Sequence, residues 1–382
     1  MDSSAGMKIL CVIDSLGSGG AQRQMSYLVA GLKQKSHQVE LFLYHPGQNH
    51  FRSDIDNYEI PIHEVPRSGH KGFSISVLWS LFRQSRQGFD AIISFQPTAN
   101  IYSVMANVLN FRCKLIICER SAWAAPRGRI KRLLSWCAAI GANHVVCNSY
   151  SHAAHLSQLF CMSRRVHAIW NGYPKLPIME RGQCISGQLQ EILIASRVSP
   201  EKNGLRLLEA LALFFARNGW IPRVSWAGRK ETDESSQNYY RVMEEFLTRN
   251  PVIASNWNWL GEVKDIQQLY AESDVLILPS LYEGLPNVVC EAMMTGCPVI
   301  ASNVCDHPKL LGVEERGLLC DPLSPISICT ALERFNVMSM EMKIQMVRQA
   351  RDYVERYLGI ERMVDSYEQL LVDAERNKLE LT

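Results

Sequence analysis

The sequence predicts an α/β protein built from two parallel, doubly wound sheets in tandem. Short apolar runs alternate with segments of helical spacing along the 382 residues, and one polar stretch containing Gly and Pro interrupts this alternation near the middle. Near-continuous apolar strands separated by helices are typical of parallel sheets whose two faces are covered. The length also exceeds the ~250–300 residues at which a single core usually divides.

Eleven apolar runs predict strands. Six belong to the first sheet: KILCVID (8–14), QVELFLYH (38–45), AIISF (91–95), KLIICE (114–119), HVVCN (144–148) and RVHAIW (165–170). Five belong to the second: EILIAS (191–196), RVSWAG (223–228), NWNWLG (256–261), DVLILPS (274–280) and CPVIAS (297–302). Helical spacing over 21–36 predicts a helix after the first strand.

The stretch NGYPKLPIMERGQCISGQ (171–188) predicts the interdomain linker, because Gly, Pro and polar residues break the pattern there. We therefore expect a first domain over 1–176 and a second over 177–359. A last helix is expected within 360–382. The signal for that helix over 361–377 is the apolar spacing of Met363, Val364, Tyr367, Leu370 and Leu371.

Charge is distributed unevenly although the net charge is only +2. Residues 1–179 carry 19 Lys and Arg against 9 Asp and Glu, and no acid occurs between Glu119 and Glu180. Such a basic half predicts an anionic partner, either nucleic acid or an anionic membrane surface. The segment RIKRLLSWCAAI (129–140) combines helix-spaced apolar residues with Arg129, Lys131 and Arg132. It fits either a helix in a lipid interface or one whose apolar face packs on the sheet.

Other features restrict the class of protein. No run of about 18 apolar residues appears, which argues against a spanning helix. Asp2 and Asp14 do not fit a cleaved secretory signal, so we expect the protein to stay in the cytoplasm. No nucleic-acid-binding module is recognisable, and the second half is acidic, so nucleic acid is not the expected partner. Twelve cysteines without a C-x-x-C pair predict buried thiols.

Two polar motifs follow predicted strands, where ligands bind in open parallel sheets. After the first strand comes DSLGSGGAQRQ, whose Gly17, Gly19 and Gly20 allow a tight turn and close approach to a ligand. It is no dinucleotide fingerprint, because Gln22 stands where the last glycine would be. After EILIAS comes RVSPEKN, which sets Arg197 and Lys202 at a strand end, where they could hold a diphosphate or be ordinary surface cations.

The stretch EGLPNVVCE (283–291) predicts a helix start between two acids. Pro286 suits the first turn of a helix, and Gly296 suits its end. A helix start offers N–H groups and the positive end of a dipole, which favour phosphate. Glu283 and Glu291, one on each side, then bind hydroxyls of a sugar or a ribose.

These residues carry a family resemblance. The stretch EGLPNVVCE, preceded by DVLILPS and followed by AMMTGCPVIAS, resembles the signature of the retaining glycosyltransferases of family 4. The GSGGAQ loop and the RVSPEK, WLGEV, NSYS and WNG stretches follow the order of that family, so the resemblance covers nearly the whole chain. It implies the GT-B fold, with two Rossmann-like domains facing across a cleft and the last helix crossing back to the first. The first domain would bind the acceptor and the second a nucleotide sugar.

The resemblance also implies roles for residues of the second domain. Arg197 and Lys202 match the cations that hold the leaving diphosphate, and Glu283 matches the acid on the hydroxyls of the donor sugar. Glu291 matches the acid on the ribose. The remaining donor-binding positions are Gly19 and Gly20 at the phosphates, Gly261 and Val263 at the base, and Gly284, Leu285, Pro286 and Asn287 near the sugar and phosphate.

On the acceptor side the sequence departs from the family. Many relatives carry a histidine near the reacting centre, whereas the corresponding strand end here reads CERSAW, with Glu119 and Arg120. We also expect no metal and no cofactor beyond a UDP-linked donor, because fixed cations and a helix start can stabilise the leaving diphosphate. The only D-x-D in the chain, Asp54-Ile55-Asp56, lies in a polar stretch of the first domain, and we do not expect it to bind a metal.

We therefore expect a retaining, metal-independent hexosyltransferase that uses a UDP-hexose or UDP-N-acetylhexosamine. The expected acceptor is a polyprenyl-diphosphate-linked saccharide of bacterial O-antigen or capsule synthesis, reached from the cytoplasmic face of an anionic inner membrane. Two alternatives remain open: a soluble acceptor, and a non-catalytic protein that binds nucleotide sugars. A nucleotide-dependent oxidoreductase is disfavoured because the dinucleotide fingerprint is missing.

Overall fold

The computed structural model describes residues 6–66, 73–108, 113–120, 129–160, 164–176 and 188–379. The chain divides into two compact units. Unit 1 comprises Met1–Tyr173 together with Leu358–Thr382, and unit 2 comprises Pro174–Tyr357. The first boundary between the units follows Tyr173. The N–H of Tyr173 donates to the carbonyl of Leu358, and its backbone pairs with that of Gly359. These contacts join the two segments of unit 1. The sequence expectation placed these boundaries after residues 176 and 359.

Unit 1 is a seven-stranded parallel sheet in the order β3-β2-β1-β4-β5-β6-β7. Its strands are β1 (Lys8–Ile13), β2 (Gln38–Leu43), β3 (Ile62–Glu64), β4 (Ala91–Phe95), β5 (Lys114–Glu119), β6 (His144–Cys147) and β7 (Val166–Ala168). Its helices are α1 (Gly20–Gln34), α2 (Ser53–Asp56), α3 (Ile75–Ser85), α4 (Pro97–Val108), α5 (Arg129–Gly141), α6 (Tyr150–Phe160) and α15 (Ile360–Leu379).

The two faces of this sheet have separate apolar cores. Helix α1 and the last helix, α15, cover one face, and helices α3 to α6 cover the other. The five apolar residues that predicted the last helix are all buried against the first of these cores. A Cβ at Gly31 would clash with Val364, so this glycine allows α1 and α15 to approach closely.

Unit 2 is a six-stranded parallel sheet in the order β10-β9-β8-β11-β12-β13. Its strands are β8 (Glu191–Ala195), β9 (Arg223–Ala227), β10 (Trp257–Gly261), β11 (Val275–Leu278), β12 (Val299–Ser302) and β13 (Leu318–Cys320). Its helices are α7 (Gly204–Asn218), α8 (Glu234–Arg249), α9 (Pro251–Ala254), α10 (Ile266–Glu272), α11 (Asn287–Thr295), α12 (His307–Leu311), α13 (Pro325–Val337) and α14 (Met340–Tyr357).

The predicted fold class is confirmed: both units are α/β with parallel sheets, and the last helix belongs to the first unit. Every apolar run that predicted a strand contains one. The sequence analysis missed β3 and β13, because strands of three residues are too short to show a period. Residues 177–187 of the predicted linker lie outside the described part of the chain.

None of Gly17, Gly19 and Gly20 has a positive φ, so the glycine loop does not use a backbone conformation that requires glycine. A Cβ at Gly19 would, however, come too close to the side chain of Gln22. Of the described cysteines, eight are buried, whereas Cys137 is exposed. No helix in the described residues is both long and apolar enough to cross a membrane.

Candidate active site

A lysine and a glutamate meet at the carboxyl edge of the sheet in unit 2. Strand order reverses there between β8 and β11, and this switch point is where open α/β sheets bind ligands. Lys202, after β8, donates a hydrogen bond of 2.6 Å to Oε1 of Glu283, which follows β11. Ser280 Oγ donates to the same oxygen at 2.7 Å. The side chains of Lys202 and Glu283 are only 14% and 13% exposed.

Asn203 holds Lys202 in place. Pro200–Lys202 form a single 3-10 turn, and Asn203 follows it in the left-handed conformation, with φ of 64°, before α7 begins. The buried amide of Asn203 donates to the carbonyls of Pro279 (2.9 Å) and Pro322 (2.7 Å). The turn is thereby tied to the strand end that precedes Glu283. Asparagine tolerates this conformation better than most residues, which is the sequence signal that could have singled out Asn203.

Glu283 is held as a carboxylate. Burial alone would raise its pKa, but the charge and hydrogen bond of Lys202, with smaller contributions from His307 and Ser280, lower it below the usual value. His307 is fully buried, and burial lowers its own pKa. Its Nδ1 donates to the carbonyl of Ser302 at 2.7 Å, which fixes the tautomer. Sequence reasoning assigned no role to Ser280 or His307: Ser280 ends the DVLILPS stretch but was not singled out, and His307 lies outside the quoted motifs.

Arg197 lies at the end of β8 but outside the Lys202–Glu283 pair. Its Nη1 donates to Glu231 at 2.9 Å, and its Nη2 lies 3.6 Å from Glu201. The side chain is half exposed. Arg197 is therefore a half-exposed cation at the end of β8 that is paired with two acids, Glu201 and Glu231.

Helix α11 begins where the sequence predicted. Pro286 is its N-cap, and Gly296 ends it with φ of 85°. Gly284 is half-buried between Glu283 and this helix start, whereas Leu285 and Pro286 are buried. Asn287 is the first helical residue, so its N–H and its neighbours' lie at the positive end of the dipole.

Glu291 lies further along α11, one turn beyond Asn287. Tyr270 of α10 donates a hydrogen bond of 3.3 Å to its Oε2. Glu283 and Glu291 thus lie on either side of the start of α11, and the contacts described for them are with different residues.

Gly261 and Val263 lie at the carboxyl end of β10, the strand at one side of this sheet. Gly261 ends β10 with φ of 69°, which a glycine adopts without strain, and its carbonyl accepts from the N–H of Gly228 at 2.7 Å. Val263 follows, half-buried. The strand order β10-β9-β8-β11 places these positions, Arg197 and Glu283 along one edge.

In unit 1, Glu119 and Arg120 lie at the carboxyl end of β5. Glu119 is buried, and its Oε1 accepts from Asn100 at 3.4 Å. The guanidinium of Arg120 lies 3.9 Å from the ring centroid of Phe95 and donates to Asn171 and to the hydroxyl of Tyr367 in α15. Arg120 therefore ties the strand end to the last helix as well as lying at the ligand-binding edge.

The glycine loop precedes α1 in the same unit. Gly19 is the N-cap of α1 and Gly20 its first residue. A Cβ at Gly19 would clash with the side chain of Gln22, so the glycine leaves room for that side chain. Asp54 and Asp56 of the D-x-D lie in α2, where Asp56 is 3.9 Å from Arg52.

Family models match both units of the chain. The model described as Glycosyltransferase Family 4 matches residues 18–174, and that described as Glycosyl transferases group 1 matches residues 190–335. Together with the two parallel-sheet units, these matches show that the chain belongs to the family 4 type of glycosyltransferases and has the GT-B fold.

Bacterial glycosyltransferases are among the similar proteins. The GalNAc-alpha-(1->4)-GalNAc-alpha-(1->3)-diNAcBac-PP-undecaprenol alpha-1,4-N-acetyl-D-galactosaminyltransferase of Campylobacter jejuni is 23% identical over 347 residues, covering 86% of this chain and 88% of that protein. The UDP-Gal:alpha-D-GlcNAc-diphosphoundecaprenol alpha-1,3-galactosyltransferase of Escherichia coli is 28% identical over 185 residues, covering 48% and 46%.

Solved structures share the fold. HepE of Anabaena, in complex with UDP and glucose, has a TM-score of 0.79 at 18% identity and covers 96% of this chain and 99% of its own. The lipopolysaccharide outer core galactosyltransferase WaaB has a TM-score of 0.69 at 17% identity, covering 97% and 100%.

Proposed function

We propose that this glycosyltransferase moves a hexosyl or N-acetylhexosaminyl group from a UDP-sugar to a polyprenyl-diphosphate-linked saccharide in bacterial surface polysaccharide synthesis, with retention of anomeric configuration. The Lys202–Glu283 pair at the switch point of unit 2 carries the proposal, because it sets a cation and a hydroxyl-binding acid side by side. Both are needed to bind a sugar joined to a diphosphate.

The chemistry follows from that arrangement. Breaking the bond between sugar and diphosphate develops negative charge on the leaving group, which Lys202 and the N-terminus of α11 can stabilise without reorganising. Arg197 would leave Glu231 and Glu201 for the diphosphate. Glu283, kept ionised, accepts hydrogen bonds from hydroxyls of the sugar. With these cations in place a metal is not required. The acceptor hydroxyl attacks the anomeric carbon from the face that the leaving group occupies, the bond from sugar to diphosphate breaks, and the hydroxyl proton passes to the leaving diphosphate oxygen.

The donor and acceptor are supported by the similar proteins. HepE was crystallised with UDP and glucose, and the relatives from Campylobacter and Escherichia coli carry undecaprenol-linked saccharides in their names. The GLPN form of the loop after Glu283 favours an N-acetylhexosamine donor, and a hexose is the second candidate.

Attachment to an anionic membrane, on its cytoplasmic face, is the third part of the proposal. Large apolar side chains are exposed on three neighbouring helices of unit 1, and we call this set the α3–α5 apolar surface: Ile75, Trp79, Met105, Val108, Leu133, Leu134, Trp136 and Ile140. Between the two interpretations of helix α5, exposure is supported by residues 133–141, the part of the helix whose side chains are described, because only Ala138 and Ala139 are buried there.

Charge supports a lipid partner for the α3–α5 apolar surface. Helices α3, α4, α5 and α6 contain no acidic residue, and Arg83 and Arg86 of α3 are exposed. The side chains of Arg129, Lys131 and Arg132 lie outside the described part of the structure, although their backbone begins α5. Anionic lipid attracts each nearby Lys or Arg by about 1 kcal/mol, so a few such residues suffice for reversible attachment.

The test of the catalytic proposal is a screen of UDP-sugars with undecaprenyl-diphosphate-linked N-acetylglucosamine as the acceptor, read by mass spectrometry of the product and by NMR of the new linkage. We expect transfer from one UDP-sugar with an α linkage, and slow UDP release without an acceptor. Binding of UDP-sugars with neither transfer nor UDP release would instead identify a non-catalytic binding protein. Transfer to a free saccharide alone would identify a soluble acceptor.

The same assay tests the metal-independence of the reaction. Transfer is expected to survive excess EDTA, because Lys202, Arg197 and the start of α11 hold the leaving diphosphate. Complete loss of transfer, restored by magnesium or manganese, would contradict this part of the proposal.

A further inference from the structure

A polar cluster in unit 1 occupies the position that corresponds to the Lys202–Glu283 pair of unit 2. The strand order of unit 1 reverses between β1 and β4, so the carboxyl ends of these two strands flank its switch point. Asp14 directly follows β1, and Gln96 directly follows β4. Neither residue is among the positions that the family resemblance assigns to the donor, although Gly19 and Gly20, which it places at the phosphates, follow Asp14 in the same loop.

The side chains at this switch point contact one another. Oδ1 of Asp14 accepts hydrogen bonds from the N–H of Ser15 (2.7 Å) and from Nε2 of Gln22 (3.0 Å). The side chain of Gln96 is close enough to this carboxyl group to lower its pKa. Gln22 reaches Asp14 across the space that Gly19 leaves open. Gly19 therefore leaves room for the side chain of Gln22 in the conformation that hydrogen-bonds to Asp14.

The backbone of Gln96 is strained. Its φ is 84°, a left-handed conformation that is uncommon for a residue with a side chain. Such residues collect at ligand sites, where the surrounding structure enforces them. Here α4 begins at once, and the carbonyl of Gln96 accepts from the N–H of Asn100 at 2.9 Å, so the strained residue is fixed between a strand end and a helix.

The chemistry of the cluster selects its ligand. An acid flanked by the amides of Gln22 and Gln96 repels phosphate, and within the described residues no Lys or Arg contacts Asp14. Burial raises the pKa of Asp14, and the hydrogen bonds from Ser15 and Gln22, together with the nearby His45 and Gln96, only partly oppose this rise. The carboxylate is therefore under-solvated and gains from a further donor. A sugar hydroxyl is such a donor.

We propose that Asp14, Gln22 and Gln96 form a subsite that binds a hydroxyl group of the acceptor saccharide. The inference rests on the proposed function, with the acceptor bound by unit 1. It adds that the carboxylate of Asp14 accepts the hydrogen bond that the acceptor hydroxyl donates. Glu119 and Arg120 lie on the same sheet edge, at the carboxyl end of β5, the strand next to β4.

The test compares Asp14→Asn with wild type in two reactions of one enzyme: transfer to undecaprenyl-diphosphate-linked N-acetylglucosamine, and hydrolysis of the UDP-sugar without an acceptor. The ratio of transfer to hydrolysis should fall at least ~10-fold, because the lost hydrogen bond involves a charged group. The matched control is Asp90→Asn, at the amino end of β4, where Oδ2 accepts from the N–H of Lys8 at 2.7 Å. Its ratio should stay within about twofold of wild type.

The pH profile separates ligand binding from a structural role. The kcat/KM of wild type for the acceptor should fall on the acid side as Asp14 becomes protonated, at a higher pH than for an ordinary aspartate, and Asp14→Asn should lack this limb. His45→Gln is the second control, because His45 is the titratable group in electrostatic reach. An acid limb that persists in Asp14→Asn and disappears in His45→Gln would overturn the assignment.

Two further outcomes count against the subsite. An unchanged ratio in Asp14→Asn, or equal losses of transfer and hydrolysis, would overturn it while leaving the proposed function intact. If the wild type turns over no UDP-sugar, the proposed function fails, and the subsite is judged by saturation-transfer NMR with methyl N-acetyl-α-glucosaminide. Saturation of that glycoside by wild type and its loss in Asp14→Asn would support the subsite, and equal saturation by both would refute it.

Discussion

Single residues decide the chemistry at the donor site. Replacing Lys202 by Met or Glu283 by Gln should lower transfer about 100-fold or more, because each removes a group preorganised for the diphosphate or the sugar. Initial rates with the UDP-sugar found in the screen measure the effect. Glu333→Gln is the control, since its 3.0 Å ion pair with Arg217 lies on the surface of the same unit. Near-normal rates in either site variant would show that the site is assigned wrongly.

The lowered pKa of Glu283 also links stability to pH. A carboxyl group with a depressed folded-state pKa contributes stability that is present above its ordinary pKa, 4.5, and is lost as pH falls through the folded value. Glu283→Gln should therefore be less stable than wild type at pH 7, and the difference should shrink below about pH 4.5. Chemical denaturation at several pH values measures this, and a difference that grows in acid would contradict the pairing.

At the scale of elements, the last helix is held to unit 1 by burial of its apolar side. Leu371→Ala should lower the free energy of unfolding by about 2–5 kcal/mol, because Leu371 is fully buried between α15 and the sheet. The adjacent Val372 is 43% exposed, and Val372→Ala should cost under about 0.5 kcal/mol. Urea unfolding followed by near-UV circular dichroism distinguishes them. Equal effects would mean that α15 does not pack as described.

At the scale of the whole molecule, the proposed membrane attachment combines charge and apolar area. Sedimentation with liposomes should require anionic lipid and weaken at 1 M salt, where the Debye length falls to about 3 Å. Changing Arg129, Lys131 and Arg132 to Ser should weaken binding to the liposomes, because three positive charges are removed. The pair Trp79→Ser with Trp136→Ser should weaken it through lost apolar contact.

The matched control uses exposed apolar residues of unit 2. Val313 and Leu323 are 90% and 66% exposed, so Val313→Ser with Leu323→Ser removes comparable apolar area away from the α3–α5 apolar surface. This variant should bind vesicles like wild type. Wild-type protein that ignores anionic vesicles at low salt would refute membrane attachment and leave the glycosyltransferase assignment standing.

The sequence by itself determined the fold class, most strand positions and the last helix, because apolar periodicity is a local property that each segment carries alone. It also pointed to Lys202 and Glu283 through their motifs. Only the tertiary structure brought these two residues, 81 positions apart, to a 2.6 Å contact, and only the strand order placed Asp14 beside Gln96. The tertiary structure also decided that Leu133 and Trp136 of α5 are exposed, whereas Ala138 and Ala139 are buried. Contacts between distant segments depend on how strands are ordered and helices packed, and no local pattern encodes that.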